Sequence, residues 1–216
     1  MAIAALGYCF LLLAVSFIGV IRYKRLTPAF KVLTLSVITL LMVSILSDYL
    51  SHKYRNNAPA LQIECIDEYV FYAVVYYYLF KNQVIKDAII VSIIIISIYF
   101  IVNAIFFQPF LKVFPTNINL PAQILFTMFS LLLFKEMLSY PLNVNIVRQS
   151  IFWFNTAMLL YATTMFFALG LSNYLAQRPF EDKIISNFWY FIDYLFHIFI
   201  GISLLTDNKE NNAARA

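Results

Sequence analysis

Long apolar stretches recur along this chain, parted by short polar or proline-bearing ones. A hydrocarbon core of ~30 Å is crossed by ~20 helical residues. Seven stretches are long enough, near 2–22, 28–50, 61–80, 86–107, 119–138, 149–175 and 184–206. Backbone groups find no partner in lipid, so each span must satisfy its own as a helix. The pattern predicts an all-α integral membrane protein: one seven-transmembrane-helix bundle over 1–206, then a short tail over 207–216. Neither an internal repeat nor a second domain is visible.

Proline placement agrees. Pro28, Pro59 and Pro121 fall at or just before expected helix starts, where a missing N–H is harmless. Pro109, Pro115, Pro141 and Pro179 fall in expected loops. The spans should therefore be unbroken. Many ion-coupled transporters bind substrate at helices interrupted by Gly or Pro, and that signature is absent. There is no GxxxG face, so Phe, Ile and Leu are left to pack the helices.

Composition turns the pattern into a solvent requirement. The chain is 62% hydrophobic and 12% charged, against about 25% charged in soluble domains. Its +4 net charge follows loop cations, with no basic-aromatic face for nucleic acid. With the N-terminus outside, inner segments carry Arg22, Lys24, Arg25, Lys31, Lys81, Lys86, Lys135, Arg148, Lys209 and Arg215. Outer segments carry Lys53, Arg55, Lys112, Arg178 and Lys183. The positive-inside rule then places the N-terminus outside and the C-terminus in the cytoplasm, in a multi-pass cell inner membrane. Positive charge follows the first apolar stretch instead of preceding it, the reverse of a signal peptide. Cys9 and Cys65 fall near outer helix ends; the simplest reading is two small apolar side chains, with one disulfide left open.

Ionisable residues within a span are functional candidates by default. Ser44 and Asp48 share a face of helix two. Glu64, Glu68 and Tyr72 form a stripe at spacing four on helix three, with Asp67 beside it. Acids there also suit the macrodipole of a first turn, and the inner tyrosines of that helix suit an interface belt. Asp193 and His197, again four apart, lie near the middle of helix seven and can pair with each other or face a wet cavity. Asn103, Gln123, Asn155 and Asn173 complete the polar set, with interhelical hydrogen bonding as their simplest role.

Two resemblances arise at these residues. The Ile66-Asp67-Glu68-Tyr69 entry of helix three, Phe152-Trp153-Phe154-Asn155 and Ser172-Asn173 resemble the seven-helix modules of bacterial sensor proteins. That resemblance implies a sensory role; no kinase domain follows Thr206, so its output would pass through a cytoplasmic or membrane partner. A narrower likeness is to intramembrane zinc hydrolases of the alkaline ceramidase and adiponectin-receptor superfamily. It rests on Ser44-x-x-x-Asp48, one of Glu64, Asp67 or Glu68, and Asp193-x-x-x-His197. It implies a divalent metal, zinc, held by Asp48, Glu68, Asp193 and His197, although aspartate stands where two of that group's three histidines would be.

The leading expectation is a membrane sensory or receptor-like module that binds a small or lipidic ligand in an outward-facing polar pocket. Its expected ligand residues are Asp48, Glu64, Glu68, Tyr72, Asn155, Asn173, Asp193 and His197. A metal-dependent lipid hydrolase and a small transporter or channel subunit are the alternatives.

Overall fold

A computed structural model describes the backbone of residues 2–111, 115–139, 146–175 and 182–208, with side chains for 6–111, 115–139, 146–170 and 188–208. Seven α-helices follow in order: α1 (Ala2–Arg22), α2 (Pro28–Tyr54), α3 (Ala58–Leu79), α4 (Gln83–Phe106), α5 (Thr116–Ser139), α6 (Ser150–Leu175) and α7 (Asp182–Thr206). A 3₁₀ turn, Ile146–Arg148, leads into α6, and no strand occurs among the described residues. Five helices (α2, α4 and α5, with parts of α6 and α7) are long and apolar enough to cross a membrane, and α1 contributes a shorter apolar stretch, Leu6–Arg22. The acids of α3 keep it out of that set. Large apolar side chains such as Phe10, Ile95, Phe106 and Phe167 lie more than half exposed. Such a surface needs lipid around it.

The helices close into a ring. Chain neighbours pack as α1·α2, α2·α3, α3·α4, α4·α5, α5·α6 and α6·α7, and α1·α7 completes the circuit. α3 also packs on α5, leaving α4 outermost. Only Ile89, Ile96 and Asn103 of α4 are buried. Gly19 lets α1 approach α2, for a Cβ there would meet the Thr34 methyl at 2.5 Å.

The centre is aromatic. Tyr69, Tyr72 and Tyr76 of α3 are fully buried and all pack on Phe126 of α5. Tyr76 is therefore a core residue and not part of an interface belt. Its hydroxyl meets Ser130 Oγ at 2.6 Å and donates to Asn155 Oδ1 at 3.0 Å. Asn155 Nδ2 donates back to the Ser130 carbonyl at 2.9 Å, so α3, α5 and α6 are tied by one small network.

Three of the boundaries that differ from the sequence reading have a visible local reason. α5 begins at Thr116, so Pro121 lies inside the helix. The extra turn starts on the Pro115 carbonyl, which accepts from the amides of Ile118 and Asn119. Asn117 then anchors it, donating from its side chain to Asn103 and from its amide to Gln108. α3 begins at Ala58, which places Glu64 and Asp67 beyond its first turn and removes the macrodipole explanation for them. Asp207 belongs to the bundle although it follows the last helical residue: it is 0% exposed. Its carboxylate accepts from the Thr27 amide at α2's start (2.7 Å) and from the Ser150 hydroxyl at α6's start (3.0 Å). Arg22, an expected loop cation, instead caps α7 by donating to the carbonyls of Leu204 (3.1 Å) and Asp207 (2.8 Å). Pro141, Pro179 and the remaining tail 209–216 lie outside the described residues.

A candidate acidic cleft among α1, α3, α6 and α7

Glu64 and Glu68 sit one turn apart on α3, and Asp193 sits on α7. The ring brings these carboxyls together: Glu68 interacts electrostatically with Glu64, Asp193 and Asp67, and Asp193 interacts with Glu64. Each lies deep among protein atoms yet keeps accessible surface, as side chains lining a cleft do. No described Lys or Arg is among their electrostatic neighbours. Carboxyls gathered in a low-dielectric interior without a counter-ion carry a desolvation cost that only protonation, a cation or a polar ligand can offset.

Aromatic rings wall the cleft. Tyr8 of α1 interacts with Asp193, Glu64 and Glu68, and Tyr161 of α6 interacts with Glu68 and Asp193. The rings run continuously from Tyr8 to His197 (5.4 Å between centroids), to Phe196 (5.0 Å), and on to Tyr72 (5.6 Å) and Tyr161 (4.5 Å).

Two polar side chains at this wall each keep one atom without a hydrogen bond of standard geometry. His197 is 1% exposed, and its Nδ1 lies 2.8 Å from the Asp193 backbone carbonyl. A carbonyl can only accept, so Nδ1 carries the hydrogen and Nε2 of the neutral ring is an acceptor. Nε2 has no hydrogen-bond partner. Tyr72 is 0% exposed, with Glu68 foremost among its electrostatic neighbours. Its hydroxyl and that of nearby Ser36 on α2 both lack a hydrogen bond of standard geometry. Buried polar atoms are almost always satisfied, so exceptions point to a site built for something else.

Of the expected ligand residues, Glu64, Glu68, Tyr72, Asp193 and His197 come together. The Asp193–His197 link, however, runs through the backbone carbonyl and not the carboxylate. Asp48 shares an electrostatic neighbour, Tyr190, with Asp193, and is not itself among the electrostatic neighbours of the cleft acids. Asp67 turns towards α2, where Thr39 donates to it at 2.7 Å. Asn155 serves the Tyr76 network. Asn173 is on α6, with its side chain outside the described residues. Cys9 and Cys65 are free thiols, Cys9 lying 3.5 Å from Ser44.

The four side chains suggested for zinc do not converge, and among the described residues no three His, Cys, Asp or Glu side chains gather as metal ligands do. The donor set does not fit the ion, and no metal-assisted step follows from it.

Tyr8 and Tyr161 were not legible as site residues. The available signal is a phenol hydroxyl within an apolar span, where it needs a partner, and a chain with 15 tyrosines offers many of those. No family model, no characterised protein and no solved structure matches this chain, so the acidic cleft stands as the observation from which a function must be argued.

Proposed function

We propose that the protein is a membrane sensory module that binds a small or lipidic ligand in the cleft lined by Glu64, Glu68 and Asp193, and relays occupancy to a partner protein. The convergence of three carboxyls and two unsatisfied buried polar groups from separate helices carries the reading. Ligand pockets pair apolar and aromatic walls with a few convergent polar groups, often between the helices of a bundle. Helices that meet at a ligand can shift relative to one another on binding, and a partner can read that shift.

In this reading the N-terminus is outside, the C-terminus is cytoplasmic and the membrane is a bacterial inner membrane. Tyr8 and Glu64 lie in the first halves of odd-numbered helices and Glu68 and Asp193 at the middle of theirs, so the cleft runs from the outer half to the centre of the bundle. The support is the distribution of Lys and Arg between alternate loops. Single cysteines at Asn56 and Asp87 in a chain lacking Cys9 and Cys65 test it: an impermeant maleimide should label Asn56→Cys in intact cells and Asp87→Cys only after lysis. The reverse pattern would sink the orientation.

Thermal unfolding in detergent across a panel of amines, acids, sugars and lipids tests the binding. At least one compound should raise the wild-type midpoint by several degrees and leave Asp193→Asn unchanged. Identical profiles for the two proteins would refute the cleft as a binding site.

A further inference from the structure

Three helix ends meet at Asp207, which follows α7 and bonds the Thr27 amide at the start of α2 (2.7 Å) and the Ser150 hydroxyl at the start of α6 (3.0 Å). One carboxylate thereby brings two basic segments side by side. Lys24 and Arg25 of the α1–α2 loop lie just before Thr27, Arg148 lies just before Ser150, and all three are exposed. Lys31, one turn into α2, sets its ammonium over the Tyr23 ring, 5.5 Å from the centroid, and so joins the same loop. The acid that gathers these cations is 0% exposed, with both oxygens already bonded. Among the described residues no carboxylate pairs with Lys24, Arg25, Lys31 or Arg148. The other cations at this end of the bundle are different: Lys81, Lys86 and Lys135 share their segments with Asp87 and Glu136, and Glu136 accepts from the Lys81 amide. Next to the unpaired cations the surface turns apolar at once. Ile21, Ile146 and Val147 are 66%, 41% and 50% exposed.

We propose that this corner binds an anionic phospholipid, its phosphate between Lys24–Arg25 and Arg148 and its acyl chains alongside Ile21 and Val147. The inference does not rest on the acidic cleft. Exposed cations beside exposed apolar side chains suit a molecule with an anionic head and an apolar body. The positive dipole ends of α2 and α6 lie at the same corner and add to the attraction. Arginine offers a phosphate a two-pronged donor, and lysine a point charge. A soluble phosphate would gain nothing from the apolar side chains, and a zwitterionic lipid brings its own cation to a place that has too many. In the orientation proposed above this end is cytoplasmic, where anionic lipids attract Lys and Arg beside a span. A lipid bound there ties the α1–α2 loop to the entry of α6 from outside, across the junction that Asp207 makes from within.

Trp153 is a reporter beside the site, because its indole Nε1 donates to the Val147 carbonyl at 2.8 Å. The chain has two tryptophans, so Trp189→Phe leaves Trp153 alone. The test is quenching of Trp153 in bilayers that mix phosphatidylglycerol with phosphatidylcholine, one of the two carrying brominated acyl chains. Competition between them should give phosphatidylglycerol a relative binding constant about fivefold or more above that of phosphatidylcholine. Lys24→Gln/Arg25→Gln/Arg148→Gln should bring the two lipids level. Lys81→Gln/Lys86→Gln/Lys135→Gln removes the same charge from the same end of the bundle and should leave the preference intact. A cooperative unfolding transition for each variant shows that it is folded. Equal quenching by both lipids in the parent protein overturns the site, as does a preference that survives the first triple substitution. Loss of the preference in both triple variants alike means a diffuse surface attraction and overturns it too. Abolition of the preference by millimolar glycerol 3-phosphate means a soluble-phosphate site and overturns the lipid.

Discussion

Carboxyl groups sit at two places in this bundle, and the protein treats them in opposite ways. Asp207 is completely buried, and each of its carboxylate oxygens has a donor, one the Thr27 amide and the other the Ser150 hydroxyl. Glu64, Glu68 and Asp193 keep some accessible surface, but their described charged neighbours are one another and Asp67. The first arrangement holds three helix ends together. The second resists being closed and gains from whatever neutralises it. A buried carboxylate is structural when its oxygens are satisfied and a candidate for function when they are not.

Substitutions can break that contrast. Asp207→Ala should have the largest effect, a loss of about 3 kcal/mol seen as a lower unfolding midpoint in detergent, because it strands the Thr27 amide and the Ser150 hydroxyl in the interior. A loss near zero would mean that water replaces the carboxylate and that the clasp does not hold the ring. Tyr76→Phe should cost about 1 kcal/mol by the same measurement, since Ser130 and Asn155 retain each other. Asp193→Asn should go the other way, raising stability by roughly 0.5–1 kcal/mol while abolishing the ligand response, as relief at a functional site commonly does. A loss comparable to that of Asp207→Ala would make the cleft acids structural and erase the distinction. Ser44→Ala should move the midpoint by less than ~0.5 kcal/mol, because among the described residues its hydroxyl meets the weakly polar Cys9 sulfur at 3.5 Å.

The fold was far more legible in the sequence than the site. Runs of about twenty apolar residues have one good solution in lipid, and all seven expected stretches are helices. The errors fell at the ends, where polar contacts from other parts of the chain decide: Asn103 and Gln108 extend α5 backwards, and Arg22 with Asp207 draws the expected tail into the bundle. Spacing within one helix was informative: Glu64 and Glu68 are both electrostatic neighbours of Tyr72. Grouping across helices was only partly so. Depth alone placed Asp48 among the acids, but depth says nothing about rotation about the helix axis, and Asp48 meets the acidic cluster only through Tyr190, which neighbours Asp193 as well. Tyr8 and Tyr161 enter the site through that same unreadable rotation.

The Asp207 clasp also sets an order on biogenesis. Thr27 and Asp207 are 180 positions apart, and Arg22 meets Asp207 across 185. α1 is inserted first, yet the surface it finally packs against is made last. Until α7 arrives, Tyr8 must wait in the bilayer without the His197 ring it later packs on, and Arg22 without the carbonyls it later binds. Contacts so distant in sequence are slow to form and open to interception. Ring closure is therefore the step at which a membrane chaperone or a destabilising mutation would have most effect on yield.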